Sequence, residues 1–165
     1  MHPVTESQIR AAVINASKGE AKRASIPDLS AVTWEDIDLL GWTDAKRPLH
    51  SYVALEVDGE LVCLQLQGSE APPRKKLLCA WCEDVVDGTR AALFGAPLTG
   101  DAGRRGNTIG TAICADFRCS RNVRRAPTSF EMRTEDPAML EWFREQRIAG
   151  LRERSAAFVR AVRDR

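Results

Sequence analysis

Two pairs of cysteines, Cys79-x2-Cys82 and Cys114-x4-Cys119, constrain this chain more than any other feature of its sequence. Two residues between thiols let a tight turn aim both sulfurs at one point, and a second pair that follows an apolar strand can close a tetrahedron. Four thiolates are the soft, anionic donor set that zinc takes in structural sites. The cysteine count is five, so a complete disulfide framework would leave one thiol over. The opening Met1-His2-Pro3-Val4-Thr5-Glu6 carries no basic stretch followed by an apolar one, which predicts a cytoplasmic protein with reduced thiols. The expectation is one structural Zn2+ on Cys79, Cys82, Cys114 and Cys119. A shell of four sulfurs leaves no position for water, so the ion can neither acidify a nucleophile nor polarise a substrate. Its task is then folding: zinc binding worth roughly 10–16 kcal/mol in small fingers exceeds the net stability of a typical domain, about 5–15 kcal/mol. Removing it should unfold at least the cysteine-bearing half.

The remaining sequence predicts an α+β fold, an antiparallel β-hairpin or small sheet with flanking helices beside the four-cysteine finger. At 165 residues the chain has room for one core and not for two full-sized domains. Three parts are expected within a single domain at 1–165: a helical and hairpin part at 1–73, the finger at 74–133 and a C-terminal helix at 134–165. A formal net charge of +1 spreads no field that would attract nucleic acid or a membrane, so any electrostatic partner must read a local patch. No apolar run approaches the length of a membrane span, and no membrane partner is expected.

Along the chain, Thr5-Glu6-Ser7-Gln8 fits a capping box. Ile9, Ala12, Val13 and Ala16 follow at helical spacing, so a helix is predicted until Ser17-Lys18-Gly19 weakens it. Thr33 reads as the cap of a short helix that Gly41 closes, with Trp34, Leu39 and Trp42 in the core. Ser51–Val57 and Glu60–Gln67 read as strands joined by Asp58-Gly59, the pair that a type I′ turn prefers. That turn places Val57 opposite Glu60, Leu55 opposite Val62 and Val53 opposite Leu64. Cys63 then falls on the other face with Ala54 and Tyr52, as a small buried hydrophobe outside the metal site. A loop from Gly68 ends in Pro72-Pro73. Short strands are expected at Thr89–Phe94 and Thr108–Ile113, around a Gly-rich basic loop. Asp136-Pro137 opens a long helix with Leu140, Phe143, Leu151, Phe158 and Val162 on its apolar stripe and a solvated Arg/Glu face opposite. Knuckle, hairpin and helix in that order, with Cys114 before the helix and Cys119 in its first turn, look like a treble clef.

Several segments are similar to one known family: Ala16-Ser17-Lys18-Gly19-Glu20-Ala21-Lys22-Arg23, Gly41-Trp42, Cys79-Ala80-Trp81-Cys82, and above all the run from Gly106-Asn107-Thr108 through Cys114-Ala115-Asp116-Phe117-Arg118-Cys119-Ser120. The chain resembles the C-terminal treble-clef domain of the FusB/FusC type, the elongation factor G-binding (FBP) proteins of fusidic acid resistance. The resemblance covers most of the chain, and the first helix enters the shared domain almost at once, without the helical bundle that precedes it in the resistance proteins. It implies zinc on the four cysteines, no catalysis, and a surface around the finger that binds elongation factor G on or off the ribosome, helping to release it when fusidic acid stalls it.

Candidate contacts cluster near the finger. Arg104 and Arg105 lie in the Gly-rich loop, and Arg118, Arg121, Arg124 and Arg125 flank the second cysteine pair. Together they read as a basic edge for an acidic protein surface or ribosomal RNA phosphates, because guanidinium groups pair bidentately with both anions. Trp81, inside the knuckle, reads either as a partner anchor or as a cap on the hairpin. Phe117, Phe94 and Phe130 read as packing. His2 and His50 stand apart from the cysteines, and no nucleophile–base or paired-carboxylate constellation assembles, so neither an enzyme nor a small-molecule substrate is expected. The leading reading is a zinc-stabilised, non-enzymatic binder of elongation factor G; the alternative is a zinc-finger RNA- or other nucleic-acid-binding protein with Trp81 stacking a base.

Overall fold

The computed structural model describes residues 1–69, 77–84 and 90–163. Its centre is the hairpin of β2 (His50–Val57) and β3 (Glu60–Gly68). Asp58 and Gly59 take φ values of 53° and 82°, the left-handed pair that a two-residue turn needs, and the register follows: Val57 opposite Glu60, Leu55 opposite Val62, Val53 opposite Leu64. The sheet has five antiparallel strands in sequence order, with β1 (Leu39–Thr43) outside β2, and β4 (Ala91–Pro97) and β5 (Thr108–Cys114) beyond β3. The β3–β4 seam is narrow, pairing Gln67 with Gly95 and Gly68 with Phe94.

Strand alternation sends side chains to two faces, and each face has its own cover. Val53, Leu55, Val57, Val62, Leu64 and Leu66 pack in one cluster with the finger cysteines and with Leu151, Val159 and Val162 of α5 (Pro137–Arg163). Tyr52, Ala54 and Cys63 lie on the opposite face with Ile9, Ala24 and Trp42, and the Trp42 and Tyr52 rings stack at 5.3 Å. Cys63 is fully buried there, and burial pushes its thiol up to about 12, which leaves it inert.

The N-terminal region differs from the sequence expectation. Helix α1 (Glu6–Ala11) has the predicted Thr5–Gln8 capping box but ends early. The amide of Cys63 donates to the Ala12 carbonyl and the amide of Ile14 to the Cys63 carbonyl, so the chain becomes a short parallel bridge to β3. Sheet pairing wins over the helical stripe at Val13 and Ala16. A second helix, α2 (Lys18–Arg23), starts where the first was expected to fade, on a capping box in which Ser17 and Glu20 bond reciprocally.

Gly41 does not close a helix. Thr33 makes no side-chain cap, the helical turn at Trp34–Asp36 is a single 3-10 turn, and Gly41 lies within β1. A Cβ there would sit 2.4 Å from Cβ of Phe117, so the glycine lets the finger's Phe117 press on the strand backbone. Leu39 and Trp42 are buried and Trp34 is half-buried. The strands expected around the basic loop are present as β4 and β5, and within the loop is a short helix, α3 (Gly100–Arg104), that was not expected. Thr89 and the Pro72-Pro73 pair lie outside the described residues. Asp136 caps α5 through the Ala138 amide at 2.9 Å, with Pro137 at its first position. Among the described residues no helix is long and apolar enough to cross a membrane.

Candidate metal centre

The four cysteines arrive from three elements. Cys79 and Cys82 flank a turn that the Ala80 amide ties to the Ala112 carbonyl of β5 at 2.7 Å. Cys114 ends β5, and Cys119 opens α4 (Cys119–Arg124). Both turns need left-handed backbone at a residue that is not glycine, Glu83 (φ 51°) and Phe117 (φ 57°). Such strained positions persist where surrounding contacts over-determine them: the Phe117 ring packs at a tilt on Phe94, 5.4 Å between centroids, and against Gly41, and Glu83 pairs with Arg154 at 3.0 Å.

All four Sγ atoms lie within 4.8 Å of one another and all four side chains are buried. Cys79 and Cys119 are 3.7 Å apart, and Cys82 and Cys114 3.5 Å. A tetrahedron with zinc–sulfur bonds of about 2.3 Å has edges of about 3.8 Å, close to both of those separations, so the donor set suits zinc. Hydrogen bonds from the thiols of Cys114, Cys119 and Cys82 pull Cys79 well below the ordinary thiol range, while those with Cys114, Cys79 and Cys82 push Cys119 above it. Four buried thiols this close cannot all ionise alone; a divalent cation that replaces the protons removes the conflict.

Asn122, one turn into α4, escaped sequence reading. Its Nδ2 donates to Sγ of Cys114 at 3.4 Å and approaches Sγ of Cys82 at 3.8 Å, while the Cys82 amide points at Sγ of Cys79 at 3.4 Å. The only sequence signal was an Asn three residues after the last cysteine, which is too common to read.

The candidate contact residues divide. Arg105 and Arg121 are exposed and make no ion pair among the described residues. Arg104 and Arg118 are exposed and pair locally with Asp101 and Asp116. Arg124 and Arg125 turn inward. Arg124 pairs with the buried Asp38, and Arg125 bridges Asp84 at 2.6 Å and Glu131 at 2.7 Å, which holds the Glu131 carboxyl at about 2. They fasten α4 to the knuckle and to the bend at Asp38 that precedes β1, and so do not belong to an open basic edge.

Trp81 is 2% exposed, with its ring 5.7 Å from Phe158 of α5, so it packs in the core and presents no face to a partner. Phe130, expected in the core, is 96% exposed. The charged face of α5 is not only solvated: Arg154 donates to the Trp81 carbonyl at 2.8 Å, Arg147 to the Asn122 carbonyl at 2.8 Å, Arg152 to Asp38 at 2.7 Å and Arg160 to Asp58 at 2.6 Å.

A knuckle, a β-hairpin and a helix converging on four thiols define a treble-clef zinc finger, here built into the edge of a larger sheet. The chain belongs to the FBP C-terminal treble-clef zinc-finger family, which matches residues 8–162. Among solved structures it is similar to the fusidic acid resistance protein FusC, with 20% identity, a TM-score of 0.54, and coverage of 74% of this chain and 53% of that one. The likeness is one of fold, and the chain spans about half the length of that protein. Comparison with curated proteins gives no match.

Proposed function

We propose that this protein is a zinc-dependent, non-catalytic, cytoplasmic binder that docks on elongation factor G and modulates its release from the ribosome. Family membership supports the partner, and the buried thiol tetrad supports the mode of action. An ion enclosed by four sulfurs has no position for substrate, so its contribution is to hold a docking surface rigid. The expected surface is the finger's exposed arginine edge: Arg104, Arg105, Arg118 and Arg121. The rival reading, an RNA-binding finger alone, is weakened because Arg124 and Arg125 are spent on internal carboxylates and Trp81 has no ring face free to stack a base.

The test is a binding titration of zinc-loaded protein against purified elongation factor G, beside chelated protein and Arg121→Glu. Binding that needs zinc and weakens on reversal of Arg121 is the expected result. Absence of any zinc-dependent affinity for the factor sinks the proposal. Trp81→Ala is unsuitable as a contact variant, because it would open the core.

A further inference from the structure

On the sheet face opposite the finger, α1, α2 and the loop after β1 enclose an open cleft of about 600 Å³. Its wall is built by two arginines that are already satisfied. Arg10 donates to the carbonyls of Ala21, Lys22 and Ala24 at 2.6, 2.8 and 2.9 Å and pairs with Glu6. It therefore neutralises the negative C-terminal end of α2, which would otherwise repel an anion. Arg47 pairs with the buried Asp44 at 2.8 Å and donates to the Tyr52 hydroxyl at 2.9 Å.

With those charges matched, Lys22, Arg23 and Lys46 remain on the same cleft, all exposed and none in an ion pair among the described residues. The nearby Glu20 carboxylate accepts from Ser17 at 2.6 and 2.9 Å and attracts Arg23 from a distance without forming an ion pair with it. Three cations outside any ion pair among the described residues, in one concavity, stand out in a chain whose whole net charge is +1.

We propose that this cleft binds the phosphate backbone of an RNA strand through Lys22, Arg23 and Lys46, as a second surface independent of the finger. Phosphate positioning needs charge in the right place and no apolar anchor, whereas protein hot spots need a desolvated aromatic or aliphatic plug. Ile26 is the one large apolar side chain on this cleft. An open wall of mixed polarity, lined mostly by charged residues, also differs from the enclosed apolar pockets that hold small molecules. With the two surfaces on opposite faces of the sheet, one molecule can hold a protein and an RNA at once.

The test is fluorescence anisotropy of a labelled single-stranded oligouridine RNA with zinc-loaded, full-length protein across a salt series. Three phosphate contacts at about 0.7 each predict a log–log salt slope near −2 for this surface. The triple variant Lys22→Glu, Arg23→Glu, Lys46→Glu should lose about tenfold or more in RNA affinity and flatten that slope, while its zinc content and affinity for elongation factor G stay unchanged. A second triple variant with the same charge change, Arg104→Glu, Arg105→Glu, Arg121→Glu, should keep the RNA and lose the factor, so the two readings fail separately. Equal RNA loss in both variants, or none in the first, overturns the inference. So does a polyglutamate that binds the cleft as well as RNA, or inorganic phosphate that fills the cleft while oligouridine does not bind.

Discussion

Asn122 shows how a single side chain serves the metal centre without being a ligand. A side-chain amide hydrogen aimed at a thiolate sulfur disperses its charge and fixes its orientation, and such outer partners commonly set metal affinity within roughly 10–100-fold. Asn122→Ala should therefore weaken zinc retention by about that factor in a chelator competition, with the fold intact in the zinc-loaded state; unchanged retention would mean that the contact is incidental. Asp44 makes a different argument at the same scale. Burial alone would raise its pKa, but hydrogen bonds from Arg47 and from the Lys46 and Ser25 amides outweigh that and hold it at about 2, down from 3.8. A carboxyl depressed by folding contributes stability above its unfolded pKa and loses it as pH falls through the folded one. The gap is worth roughly 2–3 kcal/mol. Asp44→Asn should cost about that much at neutral pH, and the difference from wild type should shrink between about pH 4 and pH 2 in urea titrations. Parallel stability curves would refute the assignment. The residue's role was not legible beforehand, because an Asp followed by Lys and Arg is an ordinary loop until Ser25 is brought beside it.

Helices α4 and α5 are held by charge as much as by apolar packing. Arg125 is central: its guanidinium joins α4 to Asp84 after the knuckle and to Glu131 in the loop before α5. Taking it away leaves two poorly hydrated carboxylates without that partner, and breaking such a pair commonly costs about 3–5 kcal/mol. Arg125→Ala should accordingly lower denaturant stability by several kcal/mol, whereas Arg121→Ala, exposed on the same helix, should change it by less than about 0.5 kcal/mol. Equal, small effects would show that the bridge contributes nothing. In the sequence both are arginines at helical spacing after a cysteine, and the spacing does not say which points inward. The hairpin stands at the other extreme. Asp58-Gly59 and the alternation of Val53, Leu55, Val62 and Leu64 specify turn, register and buried face together, because a slip of one residue would turn every aliphatic side chain to the wrong side.

At the scale of the whole molecule, the metal centre is part of the main core. The aliphatic face of the hairpin, the four cysteines, Trp81, Phe117 and the buried stripe of α5 form one contiguous cluster. Chelating zinc at neutral pH should therefore abolish the cooperative thermal transition and the near-ultraviolet aromatic signal, to which the buried Trp81 contributes, together, with readdition of zinc restoring both. An apo protein that melts with the cooperativity of the zinc-loaded form would contradict this. The sequence by itself determined the four-cysteine cluster, the central hairpin, the treble-clef order and the capped C-terminal helix, because each depends on residues close along the chain whose chemistry allows few alternatives. Tertiary structure alone decided that Gly41 belongs to a strand beneath Phe117, that α1 yields to a bridge with Cys63, that Arg124 and Arg125 face inward while Arg105 and Arg121 face out, and that Trp81 is core. Those outcomes turn on which distant surface arrives beside each residue, and side chains compete for burial and for counter-charges only once the sheet has brought those surfaces together.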